Sequence, residues 1–312
     1  MSNCLARFAK SWSNIHTQGS EPNIFLFATP RGGSTWFMEM VWSQKGIKYC
    51  SEPFNVRMPQ VARDLGVDSF DALWSDDVDS QIASYIDRII GGGIRYHNPN
   101  PLRHHSDLLT DRIVFKVIHA GMDRIDWFVR RYHAQAAVVI RHPIPVSLSR
   151  KVFPLLDVFE KSDYRLKFTV EQRELVERVR AGSGHLAKGV VAWCLHNYVP
   201  LTSTHRDYMV VSYEDAVVNP EAMIDCFARY FNLSDKSRML KQSQKASAVL
   251  RMSTPERQAL LTQGGSRSAL VNSWRKKVPE GEVREVMKIL EVFGIDAYRY
   301  DDDFANERFR ID

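Results

Sequence analysis

The chain is short of several features, and each shortage excludes a class of protein. No run of 18 or more apolar residues occurs among the 312 positions, so no membrane-spanning helix is encoded. Residues 1–18 carry Arg7 and Lys10 but no long apolar centre, which is not the make-up of a secretory signal. Cysteine is scarce: Cys4, Cys50, Cys194 and Cys226 form no CxxC pair and show no zinc-ligand spacing. Reduced, mostly buried thiols and a cytoplasmic location are therefore expected. The triplet Asn232-Leu233-Ser234 is a glycosylation sequon in form only. There is no internal repeat, no low-complexity tract, and no concentration of one charge. Lys and Arg total 42 against 37 for Asp and Glu, a net +5 with both signs interspersed. A nucleic-acid binder usually gathers its cations into a stripe. Here the slight excess fits a small anionic ligand held by a few placed cations. Neither the phosphate loop GxxxxGK[ST] nor the dinucleotide fingerprint GxGxxG is present, which weakens ATPase, GTPase and dehydrogenase readings.

What is present is a set of short apolar runs of the kind buried in parallel sheets: Asn23–Thr29, Ile47–Cys50, Arg112–Ile118, Ala136–Ile140 and Tyr208–Ser212. Helical patterns separate them. One spans Ser34–Gln44 and stops near Gly46. Another opens at Pro220 behind Asn219, and a third carries Val283, Val286, Met287, Leu290 and Phe293 before Gly294. Strands alternating with helices predict an α/β fold with a doubly wound parallel sheet in one domain. Residues 1–22 form an N-terminal arm, 23–295 the domain, and 296–312 a tail. Residues 53–110 and 151–190 depart from the pattern and are expected to form lids or walls on the substrate side. The charged run Glu171 to Arg180 reads as a solvated helix face, and His97, His104 and His105 as solvated loop residues.

Two loops carry the chemistry. After the first run come Thr29-Pro30-Arg31-Gly32-Gly33-Ser34-Thr35-Trp36. Glycines let a backbone approach a ligand closely, and a helix N-terminus offers unpaired N–H groups to an anion. Arg31 adds a fork of donors. After the fourth run come Arg141-His142-Pro143-Ile144-Pro145-Val146-Ser147-Leu148-Ser149-Arg150. A cation at a strand's carboxyl end, a proline turn and later hydroxyls suit a second anion site.

Together these segments resemble the sulfotransferases that use 3′-phosphoadenosine 5′-phosphosulfate (PAPS). The Pro-Arg-Gly-Gly-Ser-Thr-Trp stretch is similar to the family's 5′-phosphosulfate loop, and Arg-x-Pro-x-x-x-x-x-Ser to its 3′-phosphate motif. Val211-Ser212-Tyr213-Glu214-Asp215 with Asn219-Pro220, and Ser273-Trp274-Arg275-Lys276, match further family segments more loosely. The resemblance covers most of residues 23–295. It implies a P-loop-like sheet of five parallel strands ordered 2-1-3-4-5. It also implies that Arg31 and Gly32, Gly33, Ser34 and Thr35 cradle the 5′-phosphosulfate. Arg141 and Ser149 would hold the 3′-phosphate. Trp36 would stack on adenine, or simply pack its helix; Tyr213 would touch the adenine, or serve as a core aromatic.

The implied reaction is in-line transfer of a sulfuryl group to a hydroxyl, or an amine, of a small-molecule or carbohydrate acceptor, without metal. Arg31 and Lys116, on the third strand, are the candidates to meet charge on the leaving oxygen. Glu52 and His119 are the candidate general bases. Family members show Lys-x-His where this chain has Lys-Val-Ile-His, and i and i+3 on a regular strand face opposite ways. His119 can therefore join Lys116 only if the strand ends at Val117, and Glu52 is preferred. A kinase-like phosphotransferase and a catalytically silent PAP-binding module are the rival readings. Neither nucleic acid nor membrane is expected as a partner, and a homodimer is left open.

Overall fold

The computed structural model describes Ala9 and residues 14–100, 107–245 and 267–310. Cys4, His104 and His105 lie outside the described residues. Five strands build the central sheet: β1 (Ile24–Ala28), β2 (Ile47–Ser51), β3 (Arg112–Val117), β4 (Gln135–Ile140) and β5 (Met209–Ser212). All pair in parallel, so their carboxyl ends share one edge, the usual ligand edge of an α/β sheet. All five residues of β1 are fully buried, as expected of a central strand with helices on both faces.

The strand order is β2-β3-β1-β4-β5, which corrects the expected 2-1-3-4-5. Polar ties at the amino edge pin β3 beside β1. Asn23 Oδ1 accepts the Ile113 N–H at 2.8 Å. Arg112, 4% exposed, donates to the Pro22 carbonyl, the Phe231 carbonyl and Gln135 Oε1. The register then sets Phe25 opposite Phe115, with ring centroids 4.4 Å apart and nearly parallel planes. Such a cross-strand aromatic pair favours this neighbour over any other.

The helices after β1 and near the end form at Ser34–Trp42 and Glu280–Val292. Pro220–Tyr230 starts behind Asn219, whose side chain does not cap it and instead donates to Asp215 Oδ1 at 3.2 Å. Residues 53–100 contain the helices Pro59–Leu65 and Asp79–Ile90. Residues 151–182 contain Pro154–Lys161 and Val170–Gly182, the latter opened by a reciprocal Thr169–Gln172 capping box. His185–Thr202 is a long helix whose Val190 to Leu195 stretch is wholly buried. It rests on the six-residue helix Pro143–Leu148. That contact needs Gly189, because a Cβ there would overlap the Ser147 side chain.

Residues 296–310 pack Ala297, Tyr298, Ala305 and Phe309 into the core. His97 corrects the loop reading: it is 7% exposed and lies 2.6 Å from the Tyr85 hydroxyl. Cys50 and Cys194 are buried and Cys226 half-buried, and none of the three is in a disulfide.

Candidate active site

The carboxyl edge of β1 runs into a tight turn closed by the Gly32 N–H on the Thr29 carbonyl, 2.8 Å. Arg31 adopts φ 74° and Gly33 φ 98°, so the backbone turns twice through the left-handed region before the helix begins. For arginine that conformation is strained. Gly33 is the N-cap of Ser34–Trp42 and provides no side-chain acceptor. The opening N–H groups of that helix are thus left for a ligand, and its positive dipole end favours an anion.

Arg141 leaves β4 beside this turn. Its Nη1 donates to the Arg31 carbonyl at 3.2 Å, joining the two loops predicted from sequence. Its guanidinium lies 4.3 Å from the centroid of Tyr213, the first residue of the helix Tyr213–Val218. A Cβ on Gly33 would come within 2.8 Å of Tyr213 Cε2 and closer still to Cδ2. The ring is thereby held between the phosphate loop and Arg141. Trp36 meets Tyr213 and Phe37 edge-on, is 8% exposed, and donates its indole N–H to the Ser243 carbonyl. It sits as a packed residue. Ser149 is exposed at the end of Pro143–Leu148, and its hydroxyl turns back to the Val146 carbonyl at 2.8 Å.

Three supports were not anticipated. Trp193 Nε1 donates to the Arg141 carbonyl at 2.9 Å, and Asn197 Nδ2 to Thr29 Oγ1 at 2.8 Å. These two residues are four apart on one helix face. Glu214, 1% exposed, accepts from the His142 N–H, the Ser212 hydroxyl and the Tyr298 hydroxyl. Burial pushes its carboxyl pKa up, against those donors and the Arg141 charge. The sequence signal for Asn197 was a lone amide inside an apolar helical run.

A second cluster stands at the carboxyl ends of β2 and β3. Lys116 Nζ lies 2.9 Å from Glu52 Oε1 and 3.3 Å from Thr35 Oγ1. His119 Nε2 lies 3.3 Å from Glu52 Oε2. Because β3 ends at Val117, the chain turns before residue 119, and both side chains converge on one carboxylate. Glu52 itself adopts φ 56°, and its N–H donates to the Lys116 carbonyl at 2.9 Å. Burial alone would raise the Glu52 pKa. The hydrogen bonds from His119 and Lys116, with the Lys116 charge, overrule it and hold the carboxyl down at about 2. The site therefore combines an ammonium aimed at the helix N-terminus with an imidazole oriented by a permanent carboxylate.

No cluster of three metal-ligating side chains occurs among the described residues, and none of their helices is long and apolar enough to cross a membrane. No protein-family model and no curated protein matches the chain. Among solved structures, the sulfotransferase domain of the Synechococcus PCC 7002 olefin synthase is similar over 91% of this chain and 98% of that one. The identity is 18% and the TM-score 0.46. Mouse sulfotransferase SULT7A1 complexed with PAP is similar over 88% of this chain and 84% of that one, at 12% identity and TM-score 0.40.

Proposed function

We propose that the chain is a sulfotransferase that moves the sulfuryl group of PAPS to an acceptor hydroxyl or amine and releases adenosine 3′,5′-bisphosphate (PAP). The observation that carries this reading is the union of the two loops. Arg141 bonds the Arg31 carbonyl, while the Lys116–Glu52–His119 cluster reaches the same turn through Thr35. A ligand charged at two separated points fits that arrangement. The helix start, with no side-chain cap at Gly33, suits a phosphate seated on backbone N–H groups.

In this reading Arg31 and residues 32–35 bind the 5′-phosphosulfate. Arg141 and Ser149 take the 3′-phosphate, and Tyr213, with Trp36 behind it, borders the adenine. PAPS supplies the sulfuryl group. A bond forms from the acceptor oxygen to sulfur as the bond from sulfur to the bridging oxygen breaks. Lys116 and Arg31 stabilise the charge that grows on that oxygen. Glu52, held at a pKa of about 2, is a poor base at neutral pH. Its contact with Nε2 instead orients His119, leaving Nδ1 to take the acceptor proton. The geometry thus favours His119 over the Glu52 preferred from sequence. The reading keeps a small-molecule or carbohydrate acceptor, a cytoplasmic location, and residues 53–110 and 151–190 as acceptor walls.

A thermal-shift panel with PAP, PAPS, ATP–Mg and NAD tests the proposal. PAP at one hundred times its dissociation constant adds about 2.7 kcal/mol of stability, and Arg141→Ala removes most of that response. A response to ATP–Mg with none to PAP would replace this reading by the phosphotransferase one.

A further inference from the structure

Arg150 is a buried cation that the donor site leaves unexplained. It is 8% exposed, its guanidinium lies 5.1 Å from the centroid of the Phe153 ring, and its buried Nη1 has no hydrogen-bond partner among the described residues. No carboxylate pairs with it among the described residues. Burial lowers its pKa to about 10, so it stays charged at neutral pH. A buried charge without a partner is strongly destabilising, and an anionic ligand would supply the partner.

Its neighbourhood points to the acceptor side. His196 is 3% exposed, its Nδ1 has no partner among the described residues, and its ring meets Trp74 edge-on. Burial, then the charges of Arg150 and His119, disfavour its protonation. Arg150 and His119 are thus both within electrostatic reach of one imidazole. Beside His119, on the same carboxylate, Asn55 Nδ2 bonds Glu52 Oε2, while its buried Oδ1 has no partner among the described residues. Phe70 lies 5.3 Å from the His119 ring. Asn55 and Phe70 thus adjoin the base, and the charges of Arg150 and His119 both reach His196; these groups come from the two excursions from the sheet and from the helix His185–Thr202.

We infer that Arg150 is the anchor for an anionic group on the acceptor, so that the substrate class is a hydroxy acid carrying a carboxylate or a phosphate ester. The inference rests on the sulfotransferase reading and deepens it. Arg150 grips the anion and His119 faces the hydroxyl to be sulfated. The aromatic rings of Phe70, Trp74 and Phe153 border the carbon frame between them.

The test uses the full chain loaded with PAP, titrated with 3-hydroxybutyrate, 4-hydroxyphenylacetate and glycerol 3-phosphate. The neutral counterparts are 3-hydroxybutyramide, 4-hydroxyphenylacetamide and glycerol. The expected result is a further rise in melting temperature with at least one anionic member and not with its neutral counterpart. The carboxylate and phosphate arms tell the two anions apart. Arg150→Met weakens that binding by about tenfold or more, Arg150→Lys restores part of it, and PAP affinity stays unchanged in both. Without ligand, Arg150→Met melts no lower than the wild type, whereas a structural arginine would lower it. The inference is overturned if no anionic member binds the PAP complex, if neutral members bind equally well, or if Arg150→Met loses PAP affinity. Failure of the wild type to bind PAP sinks the sulfotransferase reading instead, before any acceptor is added.

Discussion

Lys116 and Glu52 meet at 2.9 Å although 64 residues separate them, and the pair ties the ends of two neighbouring strands to the phosphate turn through Thr35. The carboxylate keeps the ammonium pointed at the helix N-terminus. In return the ammonium and His119 keep the carboxyl ionised down to a pH of about 2.

A carboxyl whose pKa is lower in the fold than its unfolded value of 4.5 stabilises the fold above that value. The contribution fades as pH falls from about 4.5 towards 2. The shift corresponds to about 3 kcal/mol as an upper bound, reduced because 30% of the Glu52 side chain is open to solvent. Urea unfolding of wild type and Glu52→Gln at pH 7 and pH 3 is expected to show a stability gap that narrows at the lower pH. Equal gaps at the two values would mean that the carboxylate does not hold the cluster.

The division of labour between His119 and Glu52 is separable by kinetics. If His119 accepts the proton, His119→Gln lowers kcat by about 10²–10⁴-fold with little change in PAP affinity. Turnover of acceptors with a more acidic hydroxyl, which need less help from a base, falls less in this variant. Glu52→Gln lowers kcat less, because the imidazole persists without its orienting partner. Full loss of turnover in Glu52→Gln with most of it surviving in His119→Gln would return the base role to Glu52.

Arg31 holds φ 74°, a conformation costing a side-chain-bearing residue about 1–2 kcal/mol that glycine avoids. Arg31→Gly should therefore unfold at equal or higher denaturant concentration than the wild type while sulfuryl transfer falls by about 10²-fold or more. A variant that is both less stable and fully active would show that the turn, not the guanidinium, is what the position supplies.

Most strands were legible as short, nearly continuous apolar runs, β2 less so because Lys48 interrupts it, and the two anion loops because glycines, cations and hydroxyls cluster where a strand ends. Strand order was not legible. It depends on Asn23 meeting Ile113 and on Arg112 reaching Phe231, partners 90 and 119 residues away that no local pattern announces. The helix His185–Thr202 was missed for a different reason. It is apolar around much of its circumference and carries Pro200 near its end, so it shows little of the one-sided periodicity that marks a surface helix. The alliance of His119 with Lys116 hung on a single boundary, the end of β3 at Val117, and boundaries are what a sequence pattern fixes least well.

The Tyr213 ring ties the two anion loops together, because a Cβ on Gly33 would meet its edge and the Arg141 guanidinium lies 4.3 Å from its centroid. Gly33→Ala adds a methyl group where the ring edge already lies and asks alanine to hold φ 98°. The ring must shift, and the stacked guanidinium of Arg141 shifts with it. The expected cost is about 1–3 kcal/mol in stability and a fall in PAP affinity of about tenfold or more, read by titration. Tyr213→Ala alone weakens PAP binding by removing the platform under Arg141. In that background Gly33→Ala meets no ring, so only its backbone strain remains, about 1 kcal/mol. The double-mutant cycle should therefore show a coupling of about 0.5–3 kcal/mol. Strictly additive costs would mean that the ring and the loop do not bear on one another. The loop would then owe its shape to the Thr29–Gly32 hydrogen bond alone.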